Sequence, residues 1–242
     1  MGNGKRVLSE GRQGSAGMKL LLFDIDGTIL ATNGAGTRAV QRAFEMVHGV
    51  EVAIEAIDFA GKTDPLILKE IYINELGRGH SQEEASEIYK YYVTYLKEEI
   101  TTAEVEVMPG VRNLLNILSK KDDLALGVAT GNIEEGAHIK LSKVSLAAHF
   151  SFGGYGSDSE IREFLIRRAM ERARVHVNNG GGFEETYVIG DTPFDIIHGR
   201  AAGARTVAVA TGRYTTTELS EHKPDYLYEN LTDIDSVLSI FS

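Results

Sequence analysis

The chain has 242 residues, 43% of them hydrophobic, no cysteine, and a formal net charge of −10. That length allows one large domain or two small ones, and no apolar segment is long enough to span a bilayer. The negative balance argues against nucleic-acid binding, which uses basic surfaces. Without cysteine, disulfides and thiolate metal sites are excluded, which suits a reducing cytosol and gives a cytoplasmic expectation.

Residues 1–17 are rich in Gly, Ser, Lys and Arg and lack an apolar core. They do not form a secretory signal, and Arg6 stands where a myristoylation site needs Ser or Thr. They read as a flexible tail, with Met18 opening the folded part. Leu20 to Phe23 is a short apolar run, the pattern of a strand buried on both faces. It ends in Asp24 and Asp26, two residues apart and therefore on one side if the strand continued, followed by Gly27. Two adjacent carboxylates repel unless a cation or a shared proton relieves them. Taken alone, Asp26-Gly27 also fits a polar turn at a strand end.

Beyond Thr28, Gly34 and Gly36 loosen the chain, and Val40, Phe44 and Val47 fall at helical spacing between Arg38 and His48. From Ile54 to Ile100 the pattern stays helical, with one stripe through Leu66, Leu68, Ile71 and Ile73 and another through Tyr89, Tyr92, Val93 and Leu96. Gly61-Lys62-Thr63-Asp64-Pro65 breaks it with helix-start chemistry, Asp64 as cap and Pro65 in the first turn.

Strand–helix alternation resumes at Glu104. A helix runs through Leu114, Leu115 and Leu118. A strand over Leu124–Ala129 ends at Thr130-Gly131-Asn132, and a helix follows over Glu134–Val144. A short strand is expected at His149–Phe152, then a loop of Gly153, Gly154 and Gly156, and a charged helix over Ser159–Arg174. Asn178–Gly182 reads as a glycine-rich turn. The strand Glu185–Ile189 ends at Gly190-Asp191-Thr192-Pro193. Helix Phe194–Ala202, strand Thr206–Ala210, helix Thr216–Glu221, an edge strand at Tyr226–Tyr228 and a terminal helix through Ile240 complete the chain. Such alternation gives a parallel sheet with helices on both faces.

Three strand ends thus carry polar chemistry: Asp24/Asp26, Thr130/Gly131/Asn132 and Asp191/Asp195. With "DIDGT", "ATGN" and "VIGDTPFD" in this order, the chain resembles the haloacid-dehalogenase-like hydrolase superfamily, and within it the phosphoglycolate-phosphatase-like group. The resemblance covers roughly everything after Met18. It implies an α/β fold, a Rossmann-like doubly wound parallel sheet with an inserted α-helical cap. The core would be residues 18–31 and 104–242, the cap residues 32–103, and the tail residues 1–17. The usual lysine before proline of the third motif is absent. Arg162, just after the glycine loop, is the candidate for that basic residue, with Lys143 and Arg167 as rivals.

What the resemblance implies can be set against the chemistry of each side chain. Asp24 would be the nucleophile that accepts a phosphoryl group, and Asp26 the acid/base at the leaving oxygen. Mg²⁺ would be held by Asp24, Asp191 and the main-chain carbonyl of Asp26, an all-oxygen set. Asp195 would hold metal-bound water or orient the basic residue; it is equally a first-turn acid at a helix start. Thr130, Gly131 and Asn132 would bind phosphate at a helix N-terminus, although Asn132 could simply cap that helix. Arg162 would neutralise the transferring phosphoryl oxygens. Lys62 could reach down from the cap to the leaving group, or be a solvated loop lysine. The histidines lack metal-ligand spacing. The expected activity is Mg²⁺-dependent hydrolysis of a small phosphorylated metabolite; the alternatives are a phosphosugar mutase and a catalytically idle binding protein.

Overall fold

The structure, a computed structural model, describes residues 17–53, 57–177 and 182–241. The expected tail therefore lies outside the described residues except for Gly17, as does most of the turn expected at Asn178–Gly182.

Strand β1 (Lys19–Phe23) occupies the middle of a parallel six-stranded sheet of order β5-β4-β1-β6-β7-β8. Its partners are β4 (Leu124–Ala129) on one side and β6 (Glu185–Gly190) on the other. The outer strands are β5 (Gly153–Gly154), β7 (Arg205–Val209) and β8 (Tyr226–Tyr228). The apolar run is continuous because both faces are covered. Leu21 and Phe23 point into one cluster, with α4 (Val111–Leu118), α5 (Glu134–Lys143) and the final helix α9 (Ile234–Ser239). Leu20 and Leu22 point into the other, against α6 (Arg162–His176). Helices α7 (Pro193–Ala201) and α8 (Thr216–Glu221) complete the alternation.

The strand expected at His149–Phe152 is not formed. Ala147–His149 is a 3₁₀ turn, and the edge strand is the glycine pair that follows. The reason is close packing: a Cβ on Gly154 would lie 1.8 Å from the carbonyl oxygen of Leu165 in α6, so only glycine fits there. Glycines that signal a loop in the sequence are here the residues that let a helix lie directly on a strand.

Between β1 and β4 the chain leaves the sheet. It passes through β2 (Leu30–Ala31), α1 (Ala35–His48), α2 (Asp64–Leu76) and α3 (Gln82–Thr102), and returns through β3 (Glu106–Val107). These helices share a core of their own that includes Phe44, Leu68, Ile71, Tyr72, Ile88, Tyr92 and Leu96. Helix α3 opens with a reciprocal cap between Ser81 and Glu84. The helical pattern expected from Ile54 onwards falls partly outside the described residues, and from Ile57 to Thr63 the chain is a non-helical connection. Thr63 rather than Asp64 stands at the N-cap position of helix α2, without a side-chain cap hydrogen bond, and Pro65 is in the first turn. The pairing of β2 with β3 is antiparallel and joins the two crossings between the helical segment and the sheet. No helix among the described residues is long and apolar enough to cross a membrane.

Candidate active site

The carboxyl ends of the central strands form the floor of a cavity of about 320 Å³, and the helical segment forms its roof. The sheet order reverses beside β1, the position at which open α/β sheets bind ligands.

Asp24 follows β1 directly, its backbone N–H donating to the Ile189 carbonyl at 2.9 Å. Asp191 follows β6, and its Oδ1 accepts from Thr28 Oγ1 at 2.8 Å. Oxygens of Asp24, Asp191 and Asp195 lie within 4.8 Å of one another, and all three residues are buried. Burial pushes the Asp24 carboxyl up to about 6 against the opposing charge of Arg162, and Asp195 and Asp26 push it further the same way. Burial, then the charges of Asp195 and Asp24, also raise Asp191 well above the ordinary carboxylate range. Such crowding is what a divalent cation offsets.

The environment of Asp191 fits such an ion. Gly27 has φ +82°, and a Cβ there would stand 2.3 Å from Asp191 Oδ2; one on Gly212 would stand 1.8 Å away. The two glycines keep a cradle open around that oxygen. Among the described residues the cluster consists of three carboxylates, a hard, oxygen-only donor set, which suits Mg²⁺.

Arg162, the first residue of α6, projects between two of these acids. Its Nη2 is 2.8 Å from Asp24 Oδ2 and 2.6 Å from Asp195 Oδ1, with all three side chains at most 8% exposed. These ion pairs are close but poorly aligned, because Arg162 Nε and Nη2 and Asp195 Oδ1 have no hydrogen-bond partner. Buried donors left in that state are poised for a further acceptor. Burial works against the Arg162 charge, yet Asp195 and Asp24 outweigh it and hold the guanidinium protonated. Neither rival lies here. Lys143 donates to the Thr101 carbonyl, and Arg167 is bound by Glu163 and the Ala201 carbonyl.

Asp195 contacts both Thr192 and Arg162. Its Oδ2 accepts from Thr192 N–H at 3.0 Å and Thr192 Oγ1 at 2.7 Å, closing the reciprocal cap of α7, while Oδ1 faces Arg162.

Thr130 and Asn132 are buried beneath the cavity, and Gly131 also lines it. The alternative reading of Asn132 as a helix cap does not hold. Helix α5 is preceded by Ile133, and the Ile133 N–H is satisfied by Asp64 Oδ2 at 2.8 Å. Asn132 instead donates its amide to Thr130 Oγ1 and to Asp26 Oδ2, at 2.8 and 2.7 Å. The amides of this turn are thus partly used within the protein, and Thr130 keeps its hydroxyl hydrogen for another acceptor.

Asp26 has a partner that sequence reasoning missed. Lys140 Nζ lies 2.8 and 2.6 Å from its two carboxylate oxygens and 2.6 Å from Asn132 Oδ1. The lysine side chain is 6% exposed and that of Asp26 is 43% exposed. The signal was present: Lys140 falls in register with Ala137, Leu141 and Val144, on the buried face of α5. A lysine on an apolar helical face has to find an anion.

Lys62 lines the cavity, but both oxygens of Glu70 hold its ammonium at 2.7 Å. Its expected approach to a leaving group is therefore opposed by a partner within the same helical segment. Asp64 was expected only as a cap. Its N–H donates to the Gly131 carbonyl while its carboxylate binds Ile133, so it fastens α2 to the loop after β4.

The family model described as haloacid dehalogenase-like hydrolase matches residues 21–209, from within β1 to the end of β7. The chain belongs to this family. Its curated relatives include pyrophosphatase PpaX of Bacillus mycoides, 39% identical over 90% of this chain and 96% of its own length. Phosphoglycolate phosphatase of Agrobacterium fabrum is 23% identical, over 90% of this chain and 91% of its own. A crystal structure of a hydrolase from Pseudomonas syringae has the same fold, with a TM-score of 0.67 at 21% identity; the match covers 93% of this chain and 100% of that one. The protein is an enzyme of the haloacid dehalogenase-like hydrolases, of the phosphatase type. Within that family's frame, the acidic cluster, Arg162 and the Lys140–Asp26 pair surround one cavity.

Proposed function

We propose that this hydrolase is a Mg²⁺-dependent phosphatase of small organic phosphate monoesters, working through a phosphoryl group carried on Asp24. The observation that carries the reading is the joint position of Asp24. It lies within 2.8 Å of the buried Arg162 and within a cluster of two further carboxylates, at the floor of a closed-over cavity.

Asp24 and Asp191, with the main-chain carbonyl of Asp26, would hold Mg²⁺, which supplies charge neutralisation at the phosphoryl oxygens and at the crowded acids. The chain's own residues do the rest. Arg162, whose Nε is buried without a hydrogen-bond partner, donates to the phosphoryl oxygens and aligns the phosphorus with Asp24. Thr130 adds a hydroxyl. A carboxylate oxygen of Asp24 forms the new bond to phosphorus as the ester oxygen leaves, and Asp26 gives that oxygen its proton. Asp26 then takes a proton from the water that attacks the same phosphorus, which frees Asp24. Lys140 and Asn132 hold Asp26 at the required place for both transfers. The helical segment over 32–103 acts as a cap that excludes bulk water. The lack of cysteine supports a cytoplasmic location.

The test is release of phosphate from p-nitrophenyl phosphate, measured with Mg²⁺ and with chelator, for the native enzyme and for Asp24→Asn. Turnover should need both the metal and Asp24. Unchanged turnover in Asp24→Asn would sink the covalent mechanism.

A further inference from the structure

The pyrophosphatase and the phosphoglycolate phosphatase among the relatives are named for substrates whose leaving groups are themselves anionic, a second phosphate or a glycolate carboxylate. The cavity of this chain is not built for a second anion. Among its described lining residues the cations are Lys62, Lys140, Arg162 and Arg213, set against the acids Asp24, Asp26, Asp64 and Asp191. Each cation already faces a carboxylate. Arg162 faces Asp24 and Asp195, Lys140 faces Asp26, Lys62 is held by Glu70, and Arg213 reaches Asp58 at 2.6 Å. The Arg213–Asp58 pair is more than half exposed and holds weakly. The Lys62–Glu70 pair, with both oxygens engaged and the lysine only 23% exposed, is the firmer restraint.

What the roof offers instead is apolar and aromatic. Val40 of α1, Phe59 of the connection, Ile67 and Leu68 of α2, and Tyr89 and Tyr92 of α3 line the cavity from the helical segment. Burial raises both tyrosines above their ordinary range, so each hydroxyl keeps its proton and can serve as a neutral hydrogen-bond donor. A charged leaving group there would exchange water for an aliphatic and aromatic wall without a free counter-ion, an unfavourable transfer. An uncharged one with a hydrocarbon part would gain from the same wall.

We infer that this enzyme selects phosphate monoesters of uncharged, partly apolar alcohols, and discriminates against pyrophosphate and carboxylate-bearing esters. The inference rests on the phosphatase reading, and the experiment separates the two. With saturating Mg²⁺, kcat/KM is measured for p-nitrophenyl phosphate, ethyl phosphate, 2-phenylethyl phosphate, 2-phosphoglycolate and pyrophosphate. The expected order places 2-phenylethyl phosphate above ethyl phosphate, and about tenfold or more above both anionic substrates, the factor that burial of a few methylene equivalents supplies. Glu70→Gln, which frees Lys62, should raise kcat/KM for 2-phosphoglycolate several-fold relative to 2-phenylethyl phosphate. If p-nitrophenyl phosphate is hydrolysed but pyrophosphate or 2-phosphoglycolate ranks first, the selectivity inference is overturned and the phosphatase reading stands. If no ester is hydrolysed, the phosphatase reading fails and takes this inference with it.

Discussion

Lys140 and Asp26 stand 114 positions apart in the chain, and the lysine ammonium touches both oxygens of the aspartate at 2.8 and 2.6 Å. The pair links the first strand end to the buried face of α5 and fixes the carboxylate proposed to move protons. Replacing Lys140 by Met keeps the aliphatic stem and removes the charge. The variant should fold, and its kcat should fall about 10²-fold, the scale of a displaced general acid, with KM changed far less. Steady-state kinetics beside circular dichroism checks this. A Lys140→Met enzyme with native kcat would show that Asp26 needs no anchor.

Arg162 is expected to matter to turnover where Arg167 and Lys143 are not. Truncating Arg162 would leave Asp24 and Asp195 buried without their cation, which costs about 3–5 kcal/mol in comparable pairs. Arg162→Lys is therefore the better probe. It should remain folded and lose about 10²–10³ in kcat, as when one aligned donor to a transition state is removed. Arg167→Ala and Lys143→Ala should stay near the native rate. Loss of turnover in Lys143→Ala with Arg162→Lys unaffected would move the basic role elsewhere.

Metal removal should abolish activity and lower the melting temperature, since an ion that binds only the folded protein stabilises it. Asp191→Ala should weaken both effects. The Asp24 carboxyl is pushed up to about 6, and Asp191 is raised well above its usual range. Protons therefore compete with the cation below neutrality, and the thermal shift produced by Mg²⁺ should grow between pH 5.5 and 7.5. Calcium should substitute poorly, because it accepts a looser shell than in-line transfer tolerates. Full activity in excess chelator would remove the metal from the mechanism.

Asp64 gives a stability prediction with a definite sign. Burial pushes its carboxyl up to about 6, against the lowering effects of Lys140 and of the Ile133 N–H. The folded state therefore holds this proton more tightly than the unfolded chain does, and stability contributed below the unfolded value is lost as pH rises towards 6. Asp64→Asn keeps an acceptor for Ile133 and cannot ionise. Its stability relative to the native chain should improve by about 1–3 kcal/mol between pH 4 and 6.5 and then level off. Denaturant midpoints across that range are the measurement; a difference independent of pH would contradict the assignment.

The sequence displayed the floor of the cavity far better than its roof. Asp24, Thr130 and Asp191 end three strands whose apolar runs are plain, so β1, β4 and β6 and their polar termini follow from local pattern. Arg162 was legible only as a basic residue after a glycine loop, because its link to Asp24 depends on where α6 starts. Lys140 was hidden by its neighbours. On a helix wheel it sits among apolar residues, and only the sheet's register brings it to Asp26. The Glu70 grip on Lys62 lies within one cap segment, yet it needs the turn at Gly61 before the two side chains can meet. The β5 glycines misled for the opposite reason, as their role is set by a helix that arrives later in the chain.

The short ladder between β2 and β3 has a consequence for how this chain could have been assembled. Leu30 faces Val107 and Ala31 faces Glu106, the Met108 N–H donates to the Ile29 carbonyl, and the Asn33 amide donates to the Glu104 carbonyl. Entry and exit of the helical segment therefore lie side by side, like the two ends of a plug in one socket. The entropic cost of bringing the two ends of such a piece together grows only with the logarithm of its length, so pieces of different length differ little in it. A roof attached in this way can be lengthened, exchanged or lost without disturbing the register of β1 against β4. Substrate range could then diverge along one line of descent while the acids beneath stay in place.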